Sequence, residues 1–152
     1  MKRNTFSVLF FSLFAVIATF LVSCSLETDN AGDVKGMWHL TAIENIEDGS
    51  VTDMSNRRIF WSFEVKLLEL DDKDHQYPSI LYRFSLQNDN LSLTEPYYFD
   101  REGENGDRVL EDVKDLQPYG ISELNETFRI EAISGSKMIL VSNAKRLRFK
   151  HF

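Results

Sequence analysis

Ile59-Phe60-Trp61-Ser62-Phe63-Glu64-Val65-Lys66-Leu67 carries the signal that settles the fold class. Ile59, Trp61, Phe63, Val65 and Leu67 alternate with Ser62, Glu64 and Lys66. Successive side chains of a strand point to opposite faces, so this period of two describes a strand with one buried face and one wet one. The spacing predicts a single long strand over 59–67.

The same rhythm recurs on both sides. Trp38, Leu40 and Ala42 alternate with His39 and Thr41, and Ile80, Tyr82, Phe84 and Leu86 alternate with Arg83, Ser85 and Gln87. After Asn88-Asp89-Asn90 the chain returns through Leu91 and Leu93; Asn and Asp tolerate left-handed backbone, which predicts a tight hairpin. Phe128, Ile130 and Ala132 alternate with Arg129 and Glu131, and Ser134-Gly135-Ser136 leads into Met138, Ile139, Leu140 and Val141. Beyond Asn143-Ala144, Leu147 and Phe149 alternate with Arg146, Arg148 and Lys150. That makes about seven strands, or about eight with Tyr97 to Phe99 counted separately.

Asp100 to Asn125 interrupts the pattern. It holds a polar loop, then apolar residues at 109, 110, 113 and 116 with the spacing of a short helix, and Gln117-Pro118-Tyr119-Gly120 turns the chain back. A sheet of this many strands with one apolar face must close or fold over on itself. Sequential hairpins therefore predict an all-β, up-and-down antiparallel β-barrel over residues 36–152.

The N-terminus is a separate matter. Lys2 and Arg3 precede a nearly continuous apolar run from Ser7 to Val22, followed by the small Ser23, which describes a secretory leader over residues 1–23. The ending Leu21-Val22-Ser23-Cys24 resembles the bacterial lipobox. That resemblance implies cleavage before Cys24, lipidation of Cys24, and a tether over residues 24–35. Two or three acyl chains hold a protein on a membrane far more firmly than one. An uncleaved spanning helix is the alternative reading, but the apolar run falls short of the roughly 20 residues a span requires. Acidic residues soon after Cys24 resemble the surface-export signals of Bacteroidetes lipoproteins. The expected location is the cell envelope, at the outer membrane, with the periplasmic and surface faces both open.

Charge and residue types narrow the function. The chain has 24 acidic and 17 basic residues, a net charge of -7, and Lys2 and Arg3 leave with the leader. Such an acidic surface argues against nucleic acid as a partner. Cys24 is the one cysteine, so no internal disulfide forms. His39, His75 and His151 are dispersed, which predicts no metal site. Asp71, Asp72 and Asp74 with His75 lack the spacing of a calcium loop and read as a solvated hairpin, as do Glu102, Glu104 and Asp107. No trio of nucleophile, base and orienting group stands out, so neither catalytic residues nor a cofactor is expected. Tyr97-Tyr98-Phe99 reads either as a platform on which a sugar ring stacks or as inward packing with a rim cap.

Gly36-Met37-Trp38 resembles the Gly-x-Trp of lipocalins. The run from Tyr82 to Leu93 and the ending from Phe128 to Lys150 resemble the lipocalin-like lipoproteins of Bacteroidetes. The resemblance implies that Trp38 plugs the barrel floor beneath a basic side chain, Arg146 or Arg148. It also implies that the barrel takes a small apolar or amphiphilic ligand. Trp38, Trp61, Phe63, Tyr82, Phe84 and Phe128 are the candidate lining residues on the inferred inner face, with Phe149 beside them and the 100–125 loop as a lid. The alternative is a barrel filled by these rings, serving at the cell envelope as an interaction module for a glycan or an unidentified protein.

Overall fold

The computed structural model describes residues 32–100 and 106–152. The leader, Cys24, most of the tether, Glu102 and Glu104 lie outside the described residues. The strands are β1 (Gly36–Asn45), β2 (Val51–Asp53), β3 (Ile59–Glu64), β4 (Leu67–Asp72), β5 (Ile80–Gln87), β6 (Asn90–Tyr98), β7 (Arg108–Val109), β8 (Glu126–Ile133), β9 (Lys137–Val141) and β10 (Lys145–His151). They pair in the order β10-β9-β8-β6-β5-β4-β3-β1, and β10 pairs back onto β1. This closes an antiparallel barrel of eight strands. The two short strands are additions: β2 continues along β1 where β3 stops, and β7 lies along β6.

The inward face carries the core. Trp38, Leu40, Trp61, Phe63, Leu68, Leu70, Tyr82, Leu91, Phe128, Leu140 and Leu147 are all at most 1% exposed. Burying one such side chain contributes about 2 kcal/mol, which offsets the conformational entropy lost on ordering the strands.

The 59–67 stretch is not one strand. β3 ends at Glu64, which pairs with Leu67 across a two-residue turn whose Val65 has φ 49°. Val65 and Leu67 are consequently 37% and 43% exposed. Left-handed backbone at a β-branched residue costs about 1–3 kcal/mol. The turn is nonetheless worth making, because it sets Leu68 opposite Phe63 and Leu70 opposite Trp61 on the same buried face.

Bulges also change which residues face inward. A register shift between Leu40 and Ala42 turns Ile43, rather than Ala42, onto the core. Another, between Ile130 and Ala132, leaves Ala132 exposed and packs Ile133 inward. One extra residue in a strand reverses every face beyond it.

Both ends of the barrel are stoppered. At the floor, a short 3-10 helix (Gly32–Val34) buries Val34, whose carbonyl accepts the Trp38 indole N–H at 2.7 Å. Neither of the expected basic side chains, Arg146 and Arg148, lies over Trp38: His151 meets the indole edge-on, centroids 4.7 Å apart. Parity along β10 explains this, since Leu147, Phe149 and His151 share the inner side while Arg146 and Arg148 point out to Glu44 at 3.0 and 2.7 Å.

At the other end a 3-10 helix (Val113–Tyr119) crosses the opening. It begins later than the apolar spacing predicts and takes in Gln117, Pro118 and Tyr119, while Val109 belongs to β7. Asp112 caps it by accepting the Lys114 N–H, and Gly120 ends it with left-handed backbone. Leu116, Tyr119 and Ile121 are buried beneath it, and the Tyr119 hydroxyl donates to the Pro78 carbonyl at 2.8 Å.

Candidate functional site

The barrel axis is occupied by rings. Trp61 lies 5.1 Å from Phe149, 5.8 Å from Phe128 and 6.2 Å from Phe63, and Phe63 meets Phe84 edge-on at 5.2 Å. These are the separations at which aromatic pairs attract beyond the area they bury. Two polar atoms in this interior, Trp61 Nε1 and the Tyr82 hydroxyl, are buried without a hydrogen-bond partner from the protein. Burial, and then the carboxylate of Glu126, push the Tyr82 phenol pKa well above its ordinary value. Glu126 is itself nearly buried and accepts the N–H groups of Ser122 and Glu123 at 2.6 and 3.3 Å, which fixes the chain between helix and β8.

A concavity of about 540 Å³ lies at the stoppered mouth. That falls within the range of small-ligand pockets. Its apolar wall is Ile43, Met54, Pro118 and Ile121; Thr52, Tyr77, Gln117 and Ser122 add hydrogen-bonding groups, and Arg57 and Lys145 add charge. Among the described residues no carboxylate lines it.

The fold places each of these for a physical reason. The β1 bulge turns Ile43 inward, and Met54 is pinned by its N–H to the Thr41 carbonyl at 2.9 Å. The Arg57 N–H donates to the Met54 carbonyl at 2.9 Å, and its own carbonyl lies 2.6 Å from His39 Nε2. Its guanidinium donates to Gln76 Oε1 at 3.0 Å and to the Tyr77 hydroxyl at 3.3 Å, and sits 5.7 Å from the Tyr77 ring centroid. Lys145 starts β10 opposite Asn45, its N–H held by Ser142 Oγ at 3.2 Å.

Tyr77 owes its position to Asp72, which is 1% exposed and accepts the N–H groups of Asp74, Gln76 and Tyr77. Asp71, also buried, accepts from Ser79 Oγ at 3.1 Å and pairs with Lys73. The acidic cluster is therefore not a solvated hairpin: two of its carboxylates organise the loop that carries Tyr77. Among the described residues no group of His, Asp and Glu is placed to hold a metal ion. In the tyrosine run, the Tyr98 hydroxyl donates to Asp115 at 2.5 Å and the Arg108 guanidinium sits 5.2 Å from the Tyr98 ring centroid, which ties this ring into the wall.

The six aromatic candidates do not gather around one opening. Trp38 borders a floor depression of about 350 Å³ with His151 and Ser134, and Tyr82 borders an outer groove of about 270 Å³ with Tyr97 and Arg83. Trp61, Phe63, Phe84 and Phe128 line neither of these nor the mouth cavity. The mouth residues come from five separated segments and form no motif. The one sequence signal near them was the turn at Gln117 to Gly120.

Residues 19–152 match the profile of a family described as a lipocalin-like domain. A crystal structure of a lipocalin-like protein from Bacteroides uniformis is 21% identical, with a TM-score of 0.58 over 80% of this chain and 100% of that one. The structure of an uncharacterised protein from Bacteroides eggerthii is also 21% identical, with a TM-score of 0.55 over 78% of this chain and 98% of that one. No protein with a curated description matches the chain. At this identity the likeness to the two structures is one of fold.

Proposed function

Because the chain belongs to the lipocalin-like domain family, we propose that it is a lipid-anchored protein of the cell envelope that binds one small amphiphilic ligand at the barrel mouth. The observation that carries this is the cavity of about 540 Å³, with an apolar wall and hydrogen-bonding groups on one rim. Binding there leaves the ring-packed axis intact, whereas a guest along the axis would have to displace Trp61 and Phe63. The anchor rests on the leader and on Cys24. Residues 32–34, within the expected tether, lie at the floor of the barrel, the end opposite the mouth.

A second reading, an interaction module for a protein or glycan, draws on the packed rings around Trp61. Thr52→Trp separates the two. Thr52 is exposed on β2 at the cavity rim, so an indole there blocks the mouth without touching the core. Calorimetric titration of residues 25–152 with short-chain amphiphiles should give saturable one-to-one binding that Thr52→Trp abolishes with an unchanged circular dichroism spectrum. No binding across the panel would favour the interaction module. Mass spectrometry of the N-terminal peptide should find acyl chains on Cys24; an unmodified cysteine, or a chain still starting at Met1, would remove the anchor.

A further inference from the structure

Building on the mouth-binding reading, we propose that the ligand is an anionic amphiphile. Its carboxylate, sulfate or phosphate end sits between Arg57 and Lys145, and its apolar part lies on Ile43, Met54, Pro118 and Ile121.

The argument begins with a contrast. The chain as a whole is acidic, with a net charge of -7, yet among the described residues the mouth lining holds two cations and no carboxylate. Among the described residues neither Arg57 nor Lys145 forms a salt bridge. The bonds of the Arg57 guanidinium go to the neutral Gln76 and Tyr77, which aim it without using a carboxylate. For Lys145 the acidic neighbour is Asp48, exposed on the β1–β2 loop and close enough for the ammonium to contribute to the lowering of its pKa. Glu126 lies behind Ser122, its carboxylate already taken by the Ser122 and Glu123 N–H groups.

Two cations that form no salt bridge among the described residues, set beside an apolar wall, select for a molecule with one anionic end and one greasy end. A neutral amphiphile gains the wall alone, and a cationic one is repelled. The guanidinium supplies a planar fork that matches a carboxylate or sulfate, and the ammonium a point charge that accepts either.

The test uses residues 25–152, whose barrel closes within the described residues. Decyl sulfate, 1-decanol and decyltrimethylammonium are titrated calorimetrically, the two ionic amphiphiles below their micelle concentrations and decanol below its solubility limit. Decyl sulfate should bind saturably and about tenfold tighter than decanol, a moderate value for charge-assisted contacts that water still reaches. Raising ionic strength from about 0.01 to about 0.1 M shortens the screening length from about 30 to about 10 Å, and should weaken decyl sulfate but not decanol. Lys145→Gln should remove most of the preference without loss of fold, since among the described residues no salt bridge ties its ammonium to another element. Arg57→Lys should keep more of the preference than Arg57→Gln.

If decyl sulfate and decanol bind alike, and Lys145→Gln changes neither, the anionic class is wrong while mouth binding stands. If none of the three binds, the mouth reading itself fails.

Discussion

Gly120→Ala is the substitution whose effect can be worked out most fully. Gly120 ends the helix that stoppers the mouth, with φ 83° and its N–H donating to the Gln117 carbonyl at 3.0 Å. An added Cβ would lie 2.5 Å from Leu147 Cδ2, 3.3 Å from Leu147 Cδ1 and 3.5 Å from Ile43 Cδ1. Left-handed backbone costs an L-residue about 1–2 kcal/mol. Overpacking around Leu147, fully buried on β10, costs about 1–3 kcal/mol more. The expected loss is therefore about 2–5 kcal/mol. Gly49→Ala is the control, because Gly49 has φ +69° and nothing within 4 Å of its ideal Cβ. It should lose only the backbone share, about 1–2 kcal/mol. Urea unfolding followed by circular dichroism reads both losses as midpoint shifts at constant slope. Equal losses at the two glycines would refute the claim that helix, Leu147 and Ile43 pack as tightly as described.

Phe63→Asp should cost several kcal/mol, about 3–5, by placing an unpaired charge between Trp61 and Phe84, whereas Glu64→Lys on the exposed face should stay within about 0.5 kcal/mol. Similar effects at the two positions would overturn the inner and outer assignment of β3. Tyr82→Phe removes a buried hydroxyl that has no protein partner, so stability should hold or rise by up to about 1 kcal/mol. A clear loss would show that the hydroxyl is paired. Burial raises the pKa of Tyr82 and Tyr119 above 10.0, and the hydrogen bond to Asp115 raises that of Tyr98. Folded chains then keep protons that unfolded chains release, so this stability is fully present below pH 10 and is lost as pH climbs beyond it. Urea midpoints at alkaline pH check the sign; a rise with pH would contradict it.

The barrel was legible because period two is a direct consequence of strand geometry, and because Asn88 stands where left-handed backbone is needed, at φ 54°. The turn at Val65 was not. It contains no Gly, Asn, Asp or Pro, and the apolar Val65 and Leu67 continue the alternation straight through it. Bulges escape for a related reason: nothing in Thr41 or Glu131 announces an extra residue, yet Ile43 and Ile133 turn inward because of one. Asp72 was misread because a buried carboxylate satisfied by backbone N–H groups has the same sequence appearance as a solvated one. The mouth was hidden most deeply. Arg57 and Lys145 lie on opposite sides of the chain's midpoint, and only barrel closure, with β10 paired to β1, brings them to one rim.

Methyl-detected NMR of residues 25–152 during a decyl sulfate titration tests the mouth site most directly. Ile43, Met54 and Ile121 should shift saturably together, while Leu68, Leu91 and Met138 on the barrel's inner face stay in place. Shifts centred on those inner-face methyls, with the mouth methyls unmoved, would place the guest along the axis and contradict binding at the mouth.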